Sequence, residues 1–224
     1  MSGTTLLALL PACLSIGAGY LAGSLSSAVL VCRALGHADP RTVGSGNPGA
    51  TNVLRNFGKL PAALTLLGDL LKGALPVLLV RLLGFAPWVV AGVALAAFLG
   101  HLYPVFFRFQ GGKGIATFLG CLIALSWPTA LAFGGIWLLI AGVSRYSSLA
   151  GLIATALTPV AGGLLGLPGE EVVGLCLMAG CVFVRHRANI VKLYRGTESR
   201  IGGKGDASGG STPPAPPAPP APPG

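Results

Sequence analysis

The sequence predicts an all-α integral membrane protein with about seven transmembrane helices, its N-terminus outside and its C-terminus in the cytoplasm. Its residues are 53% hydrophobic and only 9% charged, with a mean hydropathy of +0.77. In a soluble domain about a quarter of the residues are charged. Apolar runs near the length that crosses a bilayer recur along the chain, and the basic residues lie between them. Seven spans place nearly all of these basic residues on one side, as the positive-inside rule expects of a cytoplasmic face.

The first apolar run is expected to remain a membrane helix, because no basic region or convincing cleavage site marks it as a signal peptide. A later run, residues 115–143, is too long for one helix and too short for two full spans. Trp127-Pro128 offers a break there, since proline lacks a backbone donor. The seven helices are therefore expected at residues 6–35, 60–83, 87–107, two short helices within 115–143, 149–165 and 172–184.

The composition changes sharply near residue 203. Residues 1–203 are expected to form a single membrane domain. Residues 204–224 are rich in Gly and Ser and then in Pro and Ala, so they cannot bury apolar surface. This tail is expected to be disordered or to adopt polyproline II structure, and we assign it no catalytic role.

Three polar stretches interrupt the apolar runs on the predicted cytoplasmic side. In the first, residues 44–52 (GSGNPGATN), glycines allow close approach of the backbone to a ligand, and Arg55 just beyond offers a planar fork for phosphate or carboxylate. The second is residues 111–114 (GGKG) before an apolar helix, where backbone N–H groups and Lys113 suit an anion. The alternative is a flexible loop whose lysine lies there only because basic residues are retained on the cytoplasmic side. No Ser or Thr follows Lys113, so an ATP-binding P-loop is not expected.

The third polar stretch is residues 185–189 (RHRAN). His186 there is suited to bind phosphate or to move a proton, and a merely interfacial histidine is the alternative. Ser148 is expected to cap the next helix or to offer a hydroxyl to a ligand. Glu198 is expected to pair with nearby arginines.

Two charges lie within the predicted second helix. Asp69 and Lys72 are three residues apart on one face, and charges inside a membrane helix are usually paired or functional. We expect Asp69 to pair with Lys72, or with an arginine of the first polar stretch, rather than to act directly in catalysis. His101 is expected to bond a backbone carbonyl freed by Pro104.

These residues alone indicate an anion site at one face of a membrane protein. They contain no nucleophile–histidine arrangement and no metal-ligand spacing of cysteines. A transporter of small organophosphates is the main alternative to an enzyme, but internal repeats typical of transporters are not found. Nucleic-acid binding is not expected, because no soluble domain is predicted to carry it.

The three polar stretches resemble the signature regions of bacterial acyl-phosphate:glycerol-3-phosphate acyltransferases, the PlsY family. The matching segments are GSGNPGATNVLR at residues 44–55, GHLYPVFFRFQGGKGIAT at 100–117 and HRANIVKLYRGTE at 186–198. DLLKG at residues 69–73 is similar to the family's second-helix motif. The resemblance extends over residues 5–203.

The resemblance implies a seven-helix enzyme of the bacterial inner membrane with its active site facing the cytoplasm, acting in phospholipid biosynthesis. It would transfer a fatty acyl group from acyl phosphate to the sn-1 hydroxyl of glycerol 3-phosphate, giving lysophosphatidic acid and phosphate. Its partners would be these two substrates and membrane lipid, with no soluble acyl carrier, cofactor or metal. The proton acceptor stays open between a substrate phosphate oxygen, His186 and His101.

The resemblance also assigns roles to individual residues. The catalytic residues would be Ser45, Arg55, His186 and Asn189. The substrate-binding residues would be Asn47, Thr51, Asn52, Gly111, Gly112, Lys113, Gly114 and Ser148. The supporting residues would be Asp69, Lys72, His101 and Glu198.

Overall fold

The computed structural model describes the backbone of residues 3–202 and the side chains of residues 9–202. Over this range the chain forms ten α-helices and one 3-10 turn, with no β-strand, so the all-α prediction is confirmed. The expected disordered tail, residues 204–224, lies outside the described residues. The helices are α1 (Gly3–Gly23), α2 (Ser27–Ala34), α3 (Ala50–Phe57), α4 (Lys59–Leu82), α5 (Pro87–Leu102), α6 (Ile115–Leu125), α7 (Trp127–Ser144), α8 (Ser147–Leu164), α9 (Gly169–Arg185) and α10 (Arg187–Tyr194).

The seven predicted segments correspond in order to the α1–α2 pair, α4, α5, α6, α7, α8 and α9. Of these, four helices of the described chain are long and apolar enough to cross a membrane, or five if α1 and α2 are counted as one bent span. The helix α6 has only 11 residues and α9 has 17. The number of spans and the orientation of the termini therefore stay predictions.

The expectation of one continuous first helix is wrong. A bend of 44° separates α1 from α2 at residues 24–26. The bend frees the backbone carbonyl of Leu25, and the Lys72 ammonium of α4 donates to it at 2.8 Å. A free carbonyl in an apolar interior is costly, so the buried lysine stabilises the break.

Helix boundaries differ from the expectation in two further places. No helix was predicted between the first two spans, but this segment contains α3, which buries Val53 and exposes Arg55. The third predicted helix ends at Leu102 rather than at residue 107. The residue before a proline is disfavoured in the α conformation. Tyr103 precedes Pro104 and has a non-helical φ of −133°, so the helix ends before it.

The predicted break near Trp127-Pro128 is confirmed. The helix α6 ends at Leu125, and α7 begins at Trp127. The Ser126 hydroxyl accepts from the backbone N–H of Thr129 at 3.3 Å and so caps α7. Proline near a helix start costs nothing, because its missing donor would be unpaired anyway.

The bundle packs around α5, which is the most buried of the candidate spans. The Phe118 ring contacts those of Phe98 and Phe133, with centroid separations of 6.1 and 5.6 Å. Glycines let helices approach closely: Gly23 of α1 faces the backbone of Ala97, where an added Cβ would overlap it. Close packing of this kind is how helices associate in lipid.

The two ends of the bundle differ in polarity. We call the end that carries residues 36–58, 103–114, 145–146 and 186–202 the polar end, because hydrogen bonds join these segments to one another. At the opposite end, the Arg81 guanidinium lies 3.9 Å from the buried Glu171 carboxylate. Arg81 also donates to the carbonyl of Leu125.

Candidate active site

The three polar stretches converge at the polar end. The Lys113 ammonium donates to Asn189 Oδ1 at 2.5 Å, which joins the second stretch to the third. Arg55, just after the first stretch, donates to the Ser199 hydroxyl at 2.8 Å. Residues far apart in sequence thus form one cationic surface.

The first stretch is held in shape by Asn52. Its Nδ2 donates to the carbonyls of Pro40 and Val43 at 2.9 and 3.1 Å, and its Oδ1 accepts from the Ser45 N–H at 3.0 Å. The side chain is only 3% exposed and also accepts from Asn56. The Asn52 amide is therefore used to fold the loop, and its assignment to substrate binding stays a prediction.

The other predicted residues of this stretch are accessible. Ser45 lies exposed between two glycines with positive φ, and Asn47 is half-buried. Thr51 and Arg55 lie one turn apart on the exposed side of α3. These four side chains face solvent from a loop and a helix, so they are available to a polar ligand.

The second stretch is shaped by close packing. A Cβ added to Gly111 would overlap the carbonyl of His101, and one added to Gly112 would overlap the His101 ring. The Gly112 N–H already donates to the His101 carbonyl at 3.2 Å. This N–H is therefore used within the fold, and the assignment of Gly112 to substrate binding stays a prediction. Gly114, with φ of 88°, occupies the N-cap position of α6, whose first N–H groups have no partner within the helix.

A chain of hydrogen bonds continues from Lys113. Asn189 Nδ2 donates to Glu198 Oε1 at 2.7 Å, and the Ser148 hydroxyl donates to the same oxygen at 2.7 Å. Glu198 makes no ion pair with a Lys or Arg within residues 9–202, so the expected pairing with arginines is wrong. The expected cap by Ser148 is also wrong, because α8 begins at Ser147, so Ser148 lies inside the helix and Tyr146 occupies the cap position.

His186 lies buried between α9 and α10, 3% exposed. Its Nδ1 lies 2.9 Å from the Val182 carbonyl, which can only accept, so Nδ1 carries the proton and Nε2 keeps its lone pair. Burial lowers the pKa of His186 to about 4, against the opposing effect of the Val182 carbonyl. The neighbouring charges of Lys113 and Arg185 contribute to this lowering, and the Glu198 charge opposes it. The imidazole is therefore neutral at pH 7.

The electrostatics of the site favour an anion. Burial lowers the pKa of the Lys113 ammonium, and the positive charges of Lys192, Arg185 and Arg55 lower it further, while Glu198 opposes them. Several cations thus share one region with a single acid. A bound anion would relieve the repulsion between them.

Three of the four predicted supporting residues, Asp69, Lys72 and His101, lie together beneath the site. Asp69 and Lys72 pair at 2.7 Å, and His101 Nδ1 lies 3.5 Å from Asp69 Oδ1. The expected bond from His101 to a carbonyl freed by Pro104 is not formed. The nearby Tyr103 carbonyl instead accepts from the Tyr20 hydroxyl at 2.7 Å.

Two arginines at the site received no individual role from the sequence: Arg41, and Arg185 of the third polar stretch. Arg185 donates to the carbonyls of Gly111 and Gly112 at 2.7 and 3.1 Å, and its guanidinium stacks over the Tyr103 ring at 5.5 Å. Arg41 pairs with Asp39 at 2.6 Å. Both arginines line a polar cavity of about 300 Å³. The available signal was that Arg185 lies inside a polar stretch and that Arg41 lies just before one, but the sequence does not indicate what either side chain contacts.

The rest of that cavity is formed by both of the first two polar stretches. Its further lining residues are Gly46, Pro48, Phe109, Gln110 and Gly111. An apolar groove of about 550 Å³ lies between α5 and α9 toward the opposite end, with Trp88, Leu95 and Leu177 in its walls. Within residues 9–202, no group of three His, Cys, Asp or Glu side chains is placed to hold a metal ion.

Comparison with known proteins gives a consistent result. Residues 13–196 match the family model described as glycerol-3-phosphate acyltransferase. A glycerol-3-phosphate acyltransferase of Halorhodospira halophila is 54% identical over 189 residues, covering 84% of this chain and 95% of the relative. That of Thioalkalivibrio sulfidiphilus is 53% identical over 196 residues, covering 88% and 96%.

Two solved structures are also similar. Both are crystal structures of PlsY (YgiH), described as an integral membrane glycerol 3-phosphate acyltransferase. The glycerol 3-phosphate form is 39% identical with a TM-score of 0.82, and the lysophosphatidic acid form is 38% identical with a TM-score of 0.80. Each comparison covers 86% of this chain and 96% of the solved chain.

Proposed function

The chain belongs to the glycerol-3-phosphate acyltransferase family, and we propose that it transfers a fatty acyl group from acyl phosphate to the sn-1 hydroxyl of glycerol 3-phosphate. The products are lysophosphatidic acid and inorganic phosphate. The observation that carries this proposal is the junction of Lys113 and Asn189 within a cluster of cations at the polar end. Two phosphorylated substrates need such a cluster, because each brings negative charge to the same place.

The membrane setting supports an acyl donor that arrives through lipid. The apolar groove between α5 and α9 suits a fatty chain, and α9 leads from this groove to Arg185 at the polar cavity. The distance along α9 from Leu177 to Arg185 is about 12 Å at 1.5 Å per residue. A donor with its phosphate in the cavity and its chain in the groove needs no soluble carrier.

The reaction balances without a cofactor. The 1-hydroxyl oxygen of glycerol 3-phosphate attacks the acyl carbonyl carbon and forms the new ester bond. The bond from that carbon to the phosphate oxygen breaks, and its electron pair leaves with phosphate. The hydroxyl proton passes to the departing phosphate. The protein contributes positioning and charge stabilisation, with Arg55 and Ser45 proposed to contact the reacting phosphate.

The phosphate is the better proton acceptor of the groups in reach. A phosphate ester oxygen has a second pKa of about 6, whereas burial lowers the pKa of His186 to about 4. A base of higher pKa takes the proton more readily at neutral pH. His186 Nε2 is therefore assigned to orienting a substrate hydroxyl. His101 is excluded as the base because Asp69 and the Gly112 backbone enclose its ring.

The proposed location is the bacterial inner membrane with the polar end facing the cytoplasm. The support is the concentration of Lys and Arg at the polar end, compared with Arg81 at the opposite end. Positive residues are retained on the cytoplasmic side of membrane proteins. Glycerol 3-phosphate would then reach the site directly from the cytoplasm.

The test is an acyl-transfer assay on purified protein in lipid, with radiolabelled glycerol 3-phosphate. Palmitoyl phosphate, palmitoyl-CoA and palmitoyl acyl carrier protein are offered separately as donors. Lysophosphatidic acid should form from palmitoyl phosphate alone. Lys113→Ala should lower kcat/KM by about a hundredfold, the loss of a charged hydrogen-bonding group.

Lys59→Ala is the matched control, since Lys59 is an exposed lysine of the same end and should leave the rate unchanged. Product from palmitoyl-CoA or the carrier protein, but not from palmitoyl phosphate, would contradict the proposed donor. Absence of product from every donor, with uptake of label into sealed vesicles, would favour the transporter instead.

A further inference from the structure

A buried charged unit lies between the helix bundle and the proposed site. The Lys72 ammonium lies between the Leu25 carbonyl at 2.8 Å and Asp69 Oδ1 at 2.7 Å. Asp69 Oδ1 in turn lies 3.5 Å from His101 Nδ1. The side chains of these three ionisable residues are 3–7% exposed. Burying charges costs several kcal/mol per ion before pairing, so their presence calls for a reason beyond stability.

The unit reaches the site through His101. The Gly112 N–H donates to the His101 carbonyl, and the His101 ring lies so close to Gly112 that no Cβ would fit between them. Lys113 follows directly, with its ammonium on Asn189. His101 Nδ1 faces Asp69 Oδ1 at 3.5 Å without a hydrogen bond, so Asp69 acts on the ring through its charge and its close contact. On its other side the ring lies against the Gly112 peptide.

We propose that His101, oriented by the Asp69–Lys72 pair, is a positioning residue that fixes the Gly112–Lys113 peptide and so sets the affinity for glycerol 3-phosphate. This inference rests on the proposed function. None of the three side chains lines the polar cavity, so the unit acts through the loop and not on the substrate. A displacement of even about 1 Å at a binding group is enough to cost up to a hundredfold.

The test compares variants that keep or remove the orienting contact. Asp69→Asn/Lys72→Met removes both charges together but keeps a side-chain oxygen near His101 Nδ1. Asp69→Leu/Lys72→Met has similar volume and removes that oxygen. In Asp69→Leu/Lys72→Met, called the Leu variant, KM for glycerol 3-phosphate should rise at least about tenfold. The kcat and the KM for palmitoyl phosphate should change little. The Asn variant should recover most of the lost affinity.

A second pair of variants examines His101 itself. His101→Asn retains a nitrogen near the Nδ1 position but leaves Gly112 unsupported, so it should raise KM for glycerol 3-phosphate. His101→Gln reaches the Nε2 position and should raise it less. Equilibrium binding of radiolabelled glycerol 3-phosphate is measured for every variant, so that affinity is known independently of turnover.

Glu171→Gln is the control for a purely structural effect. It alters a buried acid paired with Arg81 at the opposite end, and it should lower thermal stability while leaving glycerol 3-phosphate affinity unchanged. Unaltered affinity in His101→Asn and in the Leu variant would overturn the inference, as would an equal loss in Glu171→Gln. Wild-type protein that binds glycerol 3-phosphate but makes no product would contradict the proposed function alone, and the binding series would still decide the positioning role.

Discussion

Lys113 and Asn189 are 76 residues apart in sequence, yet the ammonium of one donates to the side-chain oxygen of the other at 2.5 Å. Because lysine only donates and the Glu198 carboxylate only accepts, the Asn189 amide has one chemically consistent orientation, with Oδ1 on Lys113 and Nδ2 on Glu198. Asn189, in the third polar stretch, therefore connects the cation of the second stretch to the Glu198 carboxylate.

This bridge predicts that Asn189→Asp is damaging although it is nearly isosteric. The carboxylate keeps the acceptor for Lys113 but replaces the donor to Glu198 by a second negative oxygen. We expect kcat/KM for glycerol 3-phosphate to fall about tenfold to a hundredfold, the value of a hydrogen bond to a charged group. The measurement is steady-state transfer from palmitoyl phosphate. The double variant Asn189→Asp/Glu198→Gln should recover part of the loss, and the absence of any recovery would contradict the bridge.

The depressed pKa of His186 predicts acid sensitivity. The unfolded chain binds a proton at His186 near the ordinary pKa of 6.5, whereas the folded protein resists it down to about 4. His186 therefore contributes stability above pH 6.5 that is progressively lost as the pH falls to about 4, in total about 3 kcal/mol. This loss of stability is measured by thermal unfolding in detergent at pH values from 7.5 to 4.

His186→Gln should flatten this part of the pH dependence. His37→Gln is the matched control, because His37 is an exposed histidine stacked on Phe57 at 5.0 Å, and it should leave the profile as in the wild type. An acid-induced loss of stability that is identical in all three proteins would show that other groups cause it.

Arg185 is expected to shape the second polar stretch. Arg185→Lys keeps the charge but cannot donate to the carbonyls of both Gly111 and Gly112 in the same planar geometry. We expect KM for glycerol 3-phosphate to rise about tenfold, measured by the same transfer assay. Arg187→Lys, at an exposed arginine two residues later, should have no effect. Equal kinetics for both variants would mean that only the charge of Arg185 matters.

The contact of α1 with α5 is expected to depend on the absence of a side chain at one position. Gly23→Ala places a Cβ against the Ala97 backbone, which cannot move aside as a flexible side chain could. Overpacking of this kind costs about 1–3 kcal/mol, and the thermal unfolding temperature in detergent should fall. Gly17→Ala on the same helix meets nothing within 4 Å and should be neutral or slightly stabilising. A decrease of the same size in Gly17→Ala would contradict the packing argument.

The sequence by itself determined the features that depend on local composition. Apolar runs without charges require helices that satisfy their own backbone, so the all-α class followed from hydropathy. The break before Trp127-Pro128 followed from proline chemistry, and the three polar stretches were visible as interruptions of the apolar runs. The close spacing of Asp69 and Lys72 on one helical face also predicted their contact.

Tertiary structure alone decided what each polar side chain contacts. The neighbouring residues in sequence do not indicate that the Asn52 side chain turns inward to bond its own loop, or that Arg185 donates to the Gly111 carbonyl. They also do not indicate that Glu198 accepts from Ser148 rather than from an arginine. The same holds for the break at Leu25, whose carbonyl is stabilised from a different helix. These contacts join residues 9 to 74 positions apart, and only the packing of helices brings such groups within hydrogen-bond distance.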